Sequence, residues 1–205
     1  MIAIITGDVV HSRALAPEDW LTHLKNGLEK LGKTPKDWEI YRGDSFQFKT
    51  TAEDALFQAV LLKAWMKYFK EIDLRMSIGV GTQNYESSKI TEGNGPAFER
   101  SGEGFDALGK KNLSINTPNE SLNAAFEVMC DLALLIMDKW SEKTAEVIYL
   151  KLKNPELNQK DIAIILDKKG QGNISETLKR GGFDEVYQFI NYYHQTMKRY
   201  VAATS

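Results

Sequence analysis

Hydrophobic and polar positions along this chain follow two periods, one of strands and one of helices. Ile2 to Thr6 is an unbroken apolar run, which predicts a strand buried on both faces, and it closes on Gly7 and Asp8. The segment PEDWLTHLKNGLEKLGK opens with Pro17 and two acids, sets Trp20, Leu24, Leu28 and Leu31 at helical spacing, and stops at Gly32. It predicts a surface helix with one face turned inward. In IYRGDSFQF, Ile40 to Phe48, the strand-favouring Tyr41, Phe46 and Phe48 flank Arg42 and Gly43. That pattern predicts a β-hairpin with Asp44 in its tight turn, because Gly43 accepts the positive φ such turns need. AEDALFQAVLLKAWMKYFKEI then reads as a core-facing helix and LRMSIGVGTQ as an alternating strand.

The resulting order, β-α-β-β-α-β, is that of a ferredoxin-like domain. The expected fold class is therefore α+β: an antiparallel sheet with helices on one face and the first and third strands side by side at its centre. Further along, EGNGPAFERSGEGFDALGKKN reads as a loop feeding a helix, LSINT as a short strand, and NESLNAAFEVMCDLALLIMDKW as a long apolar-faced helix. From Ser141 the pattern changes to short helices: SEKTAEVIYLKLKN, NQKDIAIILD, GNISETLKRGG and FDEVYQFINYYHQTMKRY. We expect two domains, 1–140 and 141–205, joined near Trp140 without a flexible linker, the second an all-helical helix-turn-helix region.

Composition narrows the picture a little. With 205 residues, 42% of them apolar, the chain has enough material for a substantial core. A net charge of −2 argues against a protein that simply coats nucleic acid. The single cysteine, Cys130, sits in an apolar run as a small core residue and has no disulfide partner within the chain. The N-terminus has no basic region before Asp8, and no apolar run reaches the length of a membrane span. The expectation is a cytoplasmic protein with no membrane partner.

Three constellations carry candidate chemistry. In the ferredoxin-like order the end of the first strand and the hairpin turn converge, so Asp8 and Asp44 would face each other. Two such carboxylates read either as ordinary cap and turn residues or as ligands of a shared Mg²⁺, which would relieve their repulsion and hold substrate phosphates. Around them Gly7, Ser12, Arg13, Arg42 and Gly43 are candidates for phosphate or nucleotide binding, with Arg13 read alternatively as a solvated surface residue. Glu99, Arg100 and Glu103 are spaced about one helical turn apart and are explained by a salt-bridge pattern. In the third constellation Ala163 supplies the small residue a helix-turn-helix needs at its packing point, and Ile162, Leu166, Ile174 and Leu178 form the shared core. Nucleic-acid recognition would fall to Gln171, Asn173, Ser175, Glu176, Thr177, Lys179 and Arg180, although Glu176 repels phosphate and helical hairpins of this shape also serve protein packing. The final helix reads either as a dimer contact or as a core helix.

Together AIITGDVVHSR, YRGDSFQ, LRMSIGVG and GPAFERSGEGFDAL resemble the SatD family, bacterial proteins of poorly defined function. The first three motifs are also distantly similar to the palm domains of class III nucleotide cyclases and of GGDEF proteins, where an aspartate ending the first strand and one in a GD hairpin hold the catalytic metals. That resemblance implies metal ligands at Asp8 and Asp44. Where those cyclases carry an asparagine and an arginine on the following helix, alignment at Gly95 gives Glu99 and Glu103, carboxylates that oppose phosphoryl transfer. RGDSF also lacks the first glycine and the glutamate of the diguanylate signature.

The resemblance therefore implies binding without turnover: a cytoplasmic regulator whose palm-like domain binds a nucleotide or other phosphate-containing small molecule through Mg²⁺, joined to a DNA-binding helix-turn-helix. The alternatives are a metal-dependent nucleotidyl cyclase or transferase whose C-terminal helices serve homodimerisation, and a degenerate interaction scaffold. The scaffold reading expects Asp8→Ala and Asp44→Ala to be neutral or stabilising.

Overall fold

A computed structural model of the chain describes residues 1–12, 15–69, 72–167 and 171–204. A strand, β1 (Ile2–Val10), leads to helix α1 (Pro17–Leu28), the hairpin β2 (Trp38–Tyr41) and β3 (Ser45–Thr51), helix α2 (Ala55–Lys67) and β4 (Asp73–Gly81). After a 3-10 turn, Ile90–Glu92, come α3 (Pro96–Asp106), β5 (Leu113–Asn116), α4 (Glu120–Met137), α5 (Glu142–Lys153), α6 (Gln159–Ile165), α7 (Gln171–Arg180) and α8 (Phe183–Thr204). The protein is mixed α+β, built on one five-stranded sheet in the order β2-β3-β1-β4-β5. β1 lies between β3 and β4 and is antiparallel to both, β2 is antiparallel to β3, and only β5 joins in parallel, beside β4.

The expected hairpin is present. Arg42 (φ 50°) and Gly43 (φ 85°) both take left-handed backbone in its turn, the conformation that matches the twist of the flanking strands. β1 is longer than its apolar run suggests. The register continues through Gly7 (opposite Phe46 and Met76) and Asp8 (opposite Ser45 and Arg75) to Val10. Two flanking strands supply ladder partners along this stretch, and that outweighs the poor strand propensity of Gly and Asp.

Helices cover both faces of the sheet, not one. Ala3, Ile5 and Val9 of β1 belong to the main core with α1 and α2, whereas Ile4, on the opposite face, packs with Ala97 and Phe98 of α3 and with Ile90. Small residues make this second layer possible. A Cβ on Gly79 would run into the backbone of Ala97 and Ser101, and one on Gly104 into the Asn116 amide and the Ser77 hydroxyl. Glycine on both surfaces brings α3 close to β4.

The main core continues without a break from the sheet through α2 into α5, α7 and α8. Trp65 of α2 meets Tyr149 of α5 with ring centroids 5.1 Å apart. The fully buried Tyr193 of α8 packs on Phe126 and donates its hydroxyl to the Ala52 carbonyl at 2.8 Å. Trp140 donates its indole N–H to the Gly181 carbonyl at 2.8 Å, tying the end of α7 to the start of α5. Side-chain caps fix the starts of three helices: Asn119 on α4, Ser141 on α5, and Asn158 on α6, where Asp161 completes a capping box. Cys130 lies in the core as expected, and burial pushes its thiol up to about 12. Among the described residues no helix is long and apolar enough to cross a membrane.

Candidate functional site

The antiparallel register of β1 and β4 sets Asp8 opposite Arg75, with both side chains on the α3 face of the sheet. Arg75 grips the carboxylate with two bonds, Nε to Oδ1 at 3.1 Å and Nη2 to Oδ2 at 2.7 Å, the fork geometry suited to this pair. Its guanidinium lies over the Phe105 ring of α3, 5.3 Å from the centroid. The hydrogen bonds it donates to Asp8 hold the guanidinium protonated above its ordinary range, and the charges of Asp8 and Asp44 add to the effect. Asp44 reaches the same end of the sheet: its carbonyl accepts from the Val9 amide at 3.3 Å, and its Oδ2 accepts from the Ser12 hydroxyl at 2.6 Å. Tyr41 stands nearby, its phenol pushed up mainly by burial, opposed by Arg42 and reinforced by Asp106 and Asp8.

The hairpin and β1 thus bring Asp8, Ser12, Tyr41 and Asp44 to one end of the sheet, and Arg75 sits in the field of both aspartates. As placed, these groups do not fit a divalent cation. Both Asp8 oxygens are taken by a guanidinium, and a dication beside Asp8 would face that positive charge directly. Among the described residues no group of three or more His, Cys, Asp or Glu side chains is arranged to hold a metal ion.

The candidate phosphate-binding residues divide. Gly7 lies inside the ladder, where a Cβ would meet the Phe46 ring and the Arg75 carbonyl; it is a packing glycine, not part of a phosphate loop. Ser12 is committed to Asp44, while Arg42 and Gly43 form the exposed hairpin tip. Arg13 lies outside the described residues. The salt-bridge pattern on α3 is replaced by a different contact: Arg100 donates to the Val80 carbonyl at 3.1 Å, while Glu99 and Glu103 remain exposed. The carbonyl at the end of β4 lies within the reach of Arg100, which the sequence spacing did not reveal.

Sequence reasoning missed Arg75, Tyr41, Phe105 and Asp106. The alternation of LRMSIGVG assigns Arg75 to one strand face, but only the pairing register sets it opposite Asp8. A second feature was also not legible, a cavity of about 590 Å³ where the ends of β1 and β4 meet the start of α5. His11, Lys67, Asp73, Asp138, Trp140 and Lys143 are among its lining residues. Behind it lies a buried ion cluster. Lys63 reaches Asp73 at 2.7 Å and Asp138 at 2.9 Å, and Lys67 reaches Asp73 at 2.8 Å. This cluster joins α2, β4 and the end of α4, so the cavity lies on the seam between the sheet and the C-terminal helices.

In the helical region Ile162, Ala163, Ile174 and Leu178 are buried and Leu166 packs beside them, as the expected shared core requires. α7 directs Asn173, Ser175, Glu176, Lys179 and Arg180 to solvent. Thr177 is not on this face: it is 5% exposed, and its hydroxyl bonds back to the Asn173 carbonyl at 2.7 Å. The helical period turns this position inward between Ile174 and Leu178, so it does not read bases. The side chain of Gln171 lies outside the described residues. Comparison with models of known families gives no match, and no curated protein matches the chain.

Proposed function

We propose that this chain is a regulator of the kind the SatD resemblance implies: a DNA-binding protein that contacts the duplex through α7 and responds to a small phosphate-containing ligand bound on the sheet side. The observation that carries this reading is the two-sided character of α7. Its inner face is locked onto α6 by Ile162, Ala163, Ile174 and Leu178, while its outer face presents Asn173, Ser175, Lys179 and Arg180 together. Asn is suited to adenine edges and Lys and Arg to phosphates or guanine. Residues 141–205 carry ten Lys and Arg against eight Asp and Glu in a chain that is acidic overall, so positive charge is concentrated in the helical part.

The strand order β2-β3-β1-β4 supports a palm-like, ferredoxin-like sheet, to which β5 and the second helical layer are additions. The ligand is proposed to occupy the cavity at the seam, where Lys143 supplies positive charge and a shift of α5 would reach α7 through the Trp140–Gly181 bond. Mg²⁺ is not required, because Asp8 is already neutralised by Arg75. This arrangement favours a binding protein over the cyclase or transferase alternative.

The test is fluorescence anisotropy of the full chain against a pool of random duplexes at several salt concentrations. Lys179→Ala and Arg180→Ala should each weaken binding and reduce the salt slope by about one, the mark of a lost phosphate contact. No binding at low salt, or unchanged binding in both variants, would overturn the DNA reading. Binding unaffected by a panel of nucleotides would remove the ligand response alone.

A further inference from the structure

Four of the large apolar side chains with substantial exposure lie on one surface, the groove between α4 and α8. Val128 is 60% exposed, Leu132 59%, Leu135 63% and Tyr192 45%. Positions 128, 132 and 135 fall on one stripe of α4 by helical periodicity, and that stripe is unneeded by the core, which takes Phe126, Cys130, Ala133, Leu134 and Met137 from the other side. Leu132, Leu135 and Tyr192, with Met129, Ile136 and Phe189, line a depression of about 590 Å³, where Glu185 and Gln188 are the polar members; Val128 continues the apolar stripe along α4. A monomer rarely leaves so continuous an apolar surface in water.

We propose that a second copy of this chain covers this face, with α4 packed antiparallel against α4 of its partner about a two-fold axis near Leu132. Three observations favour a second copy in this orientation. The stripe is centred on Leu132, so a two-fold there sets Val128 and Leu135 of each copy against the other's apolar positions, the self-complementarity an isologous contact requires. The charges along α4 are also unequal at its two ends. Glu127 and Asp131 share one counter-ion, Lys111, at 3.0 and 2.9 Å, which leaves the first half of the helix with excess negative charge. Lys139, just past the last turn and exposed, is in no ion pair among the described residues. Antiparallel packing lays Lys139 of one copy over the acidic half of the other, whereas parallel packing sets like charges side by side.

Size points the same way. An 18-residue α4 is about 27 Å long, and with α8 beside it the face covers about 500 Å² in flat projection. Side-chain relief raises this toward the roughly 800 Å² per partner of a standard interface. This inference is independent of the DNA reading, and its test contains no DNA, so either can fail without the other.

Sedimentation equilibrium of the full chain, compared with Leu132→Glu, reads the association directly. The native chain should be a dimer at micromolar concentration, and Leu132→Glu should weaken association by about 100-fold or more, because two carboxylates would meet at the axis without partners. Leu132 is exposed, so the variant should keep its melting temperature at monomeric concentration. Cysteine substitution tests the orientation. Leu132→Cys should cross-link to its own copy on mild oxidation, whereas Ala124→Cys should not, since an antiparallel pair holds the two 124 positions about 24 Å apart. Cys130 is buried and does not interfere. A native chain that is monomeric at 100 times that concentration, a dimer unaffected by Leu132→Glu, or cross-linking at both positions would each overturn the proposal.

Discussion

Replacing Asp73 with Asn isolates the energetics of the ion cluster at the seam. Asp73 accepts three bonds from three donors: Lys63 Nζ at 2.7 Å, Lys67 Nζ at 2.8 Å, and the Leu74 amide at 2.7 Å, with Lys63 held in turn by Asp138. Lys63 is fully buried and Lys67 nearly so, while Asp138 is partly open to water. Asp73→Asn removes the central negative charge and leaves two ammonium groups in the interior facing one peripheral carboxylate. Breaking a buried pair in this way costs about 3–5 kcal/mol. Lys63→Met is expected to be milder, about 1–3 kcal/mol, because Asp73 keeps Lys67 and the Leu74 amide while the aliphatic stem is conserved. In the double variant the losses should sum to less than the two single effects, because the stranded Lys63 charge is gone. Urea denaturation followed by circular dichroism measures all three, and the ranking should persist at 1 M salt, since buried charges are poorly screened. An Asp73→Asn loss below about 0.5 kcal/mol, in the range of an ordinary surface change, would refute the reasoning. So would a Lys63→Met loss larger than that of Asp73→Asn.

Asp8→Ala should destabilise the protein by about 1 kcal/mol, because it strips the partly exposed Arg75 of its bidentate partner; the scaffold reading expects no loss or a gain, so a double-mutant cycle with Arg75→Met in urea decides between them. Gly79→Ala should cost at least about 2 kcal/mol by driving a methyl into the α3 backbone, whereas Gly102→Ala, on the same helix with open space around it, should gain about 0.5–1 kcal/mol; equal effects in denaturation would contradict the close α3 packing. His23 stacks on Trp65 and Phe69 with its Nε2 2.8 Å from the Trp65 carbonyl, and burial lowers its pKa below 6.5. The fold favours the neutral ring, so this stability is complete above pH 6.5 and is lost as pH falls through the lowered folded value; His23→Phe should flatten the fall in melting temperature between pH 7 and 5, and an unchanged profile would refute it. Thr177→Val should leave DNA binding unchanged, since this side chain is buried; a loss as large as that of Lys179→Ala, without a loss of stability, would return it to the reading face.

Each element read from the periodicity is present, because helices and strands were marked by local signals: Pro17 ahead of α1, Gly43 in the hairpin, and apolar spacing in α2 and α4. The core of the helical unit was legible for the same reason, since Ile162, Ala163, Ile174 and Leu178 are fixed to one side by the 3.6-residue period alone. Thr177 shows the limit of this reading. Its polarity suggested solvent, but the period turned it inward, and a bond to its own helix satisfies the hydroxyl.

What the sequence alone determined, then, was the set of elements, the hairpin that carries Asp44, and the inward face of each helix. These depend on residues a few positions apart and on backbone preferences that act locally. The tertiary structure decided what long-range pairing and packing control. Strand register set Arg75 against Asp8 across 67 positions and balanced a charge that had suggested a metal. Close packing at Gly79 admitted α3 to the second face of the sheet, and the meeting of α2, β4 and α4 created the ion cluster and its cavity. Contacts of this kind arise only when distant segments are brought together, and no periodicity within a single segment encodes which of them will meet.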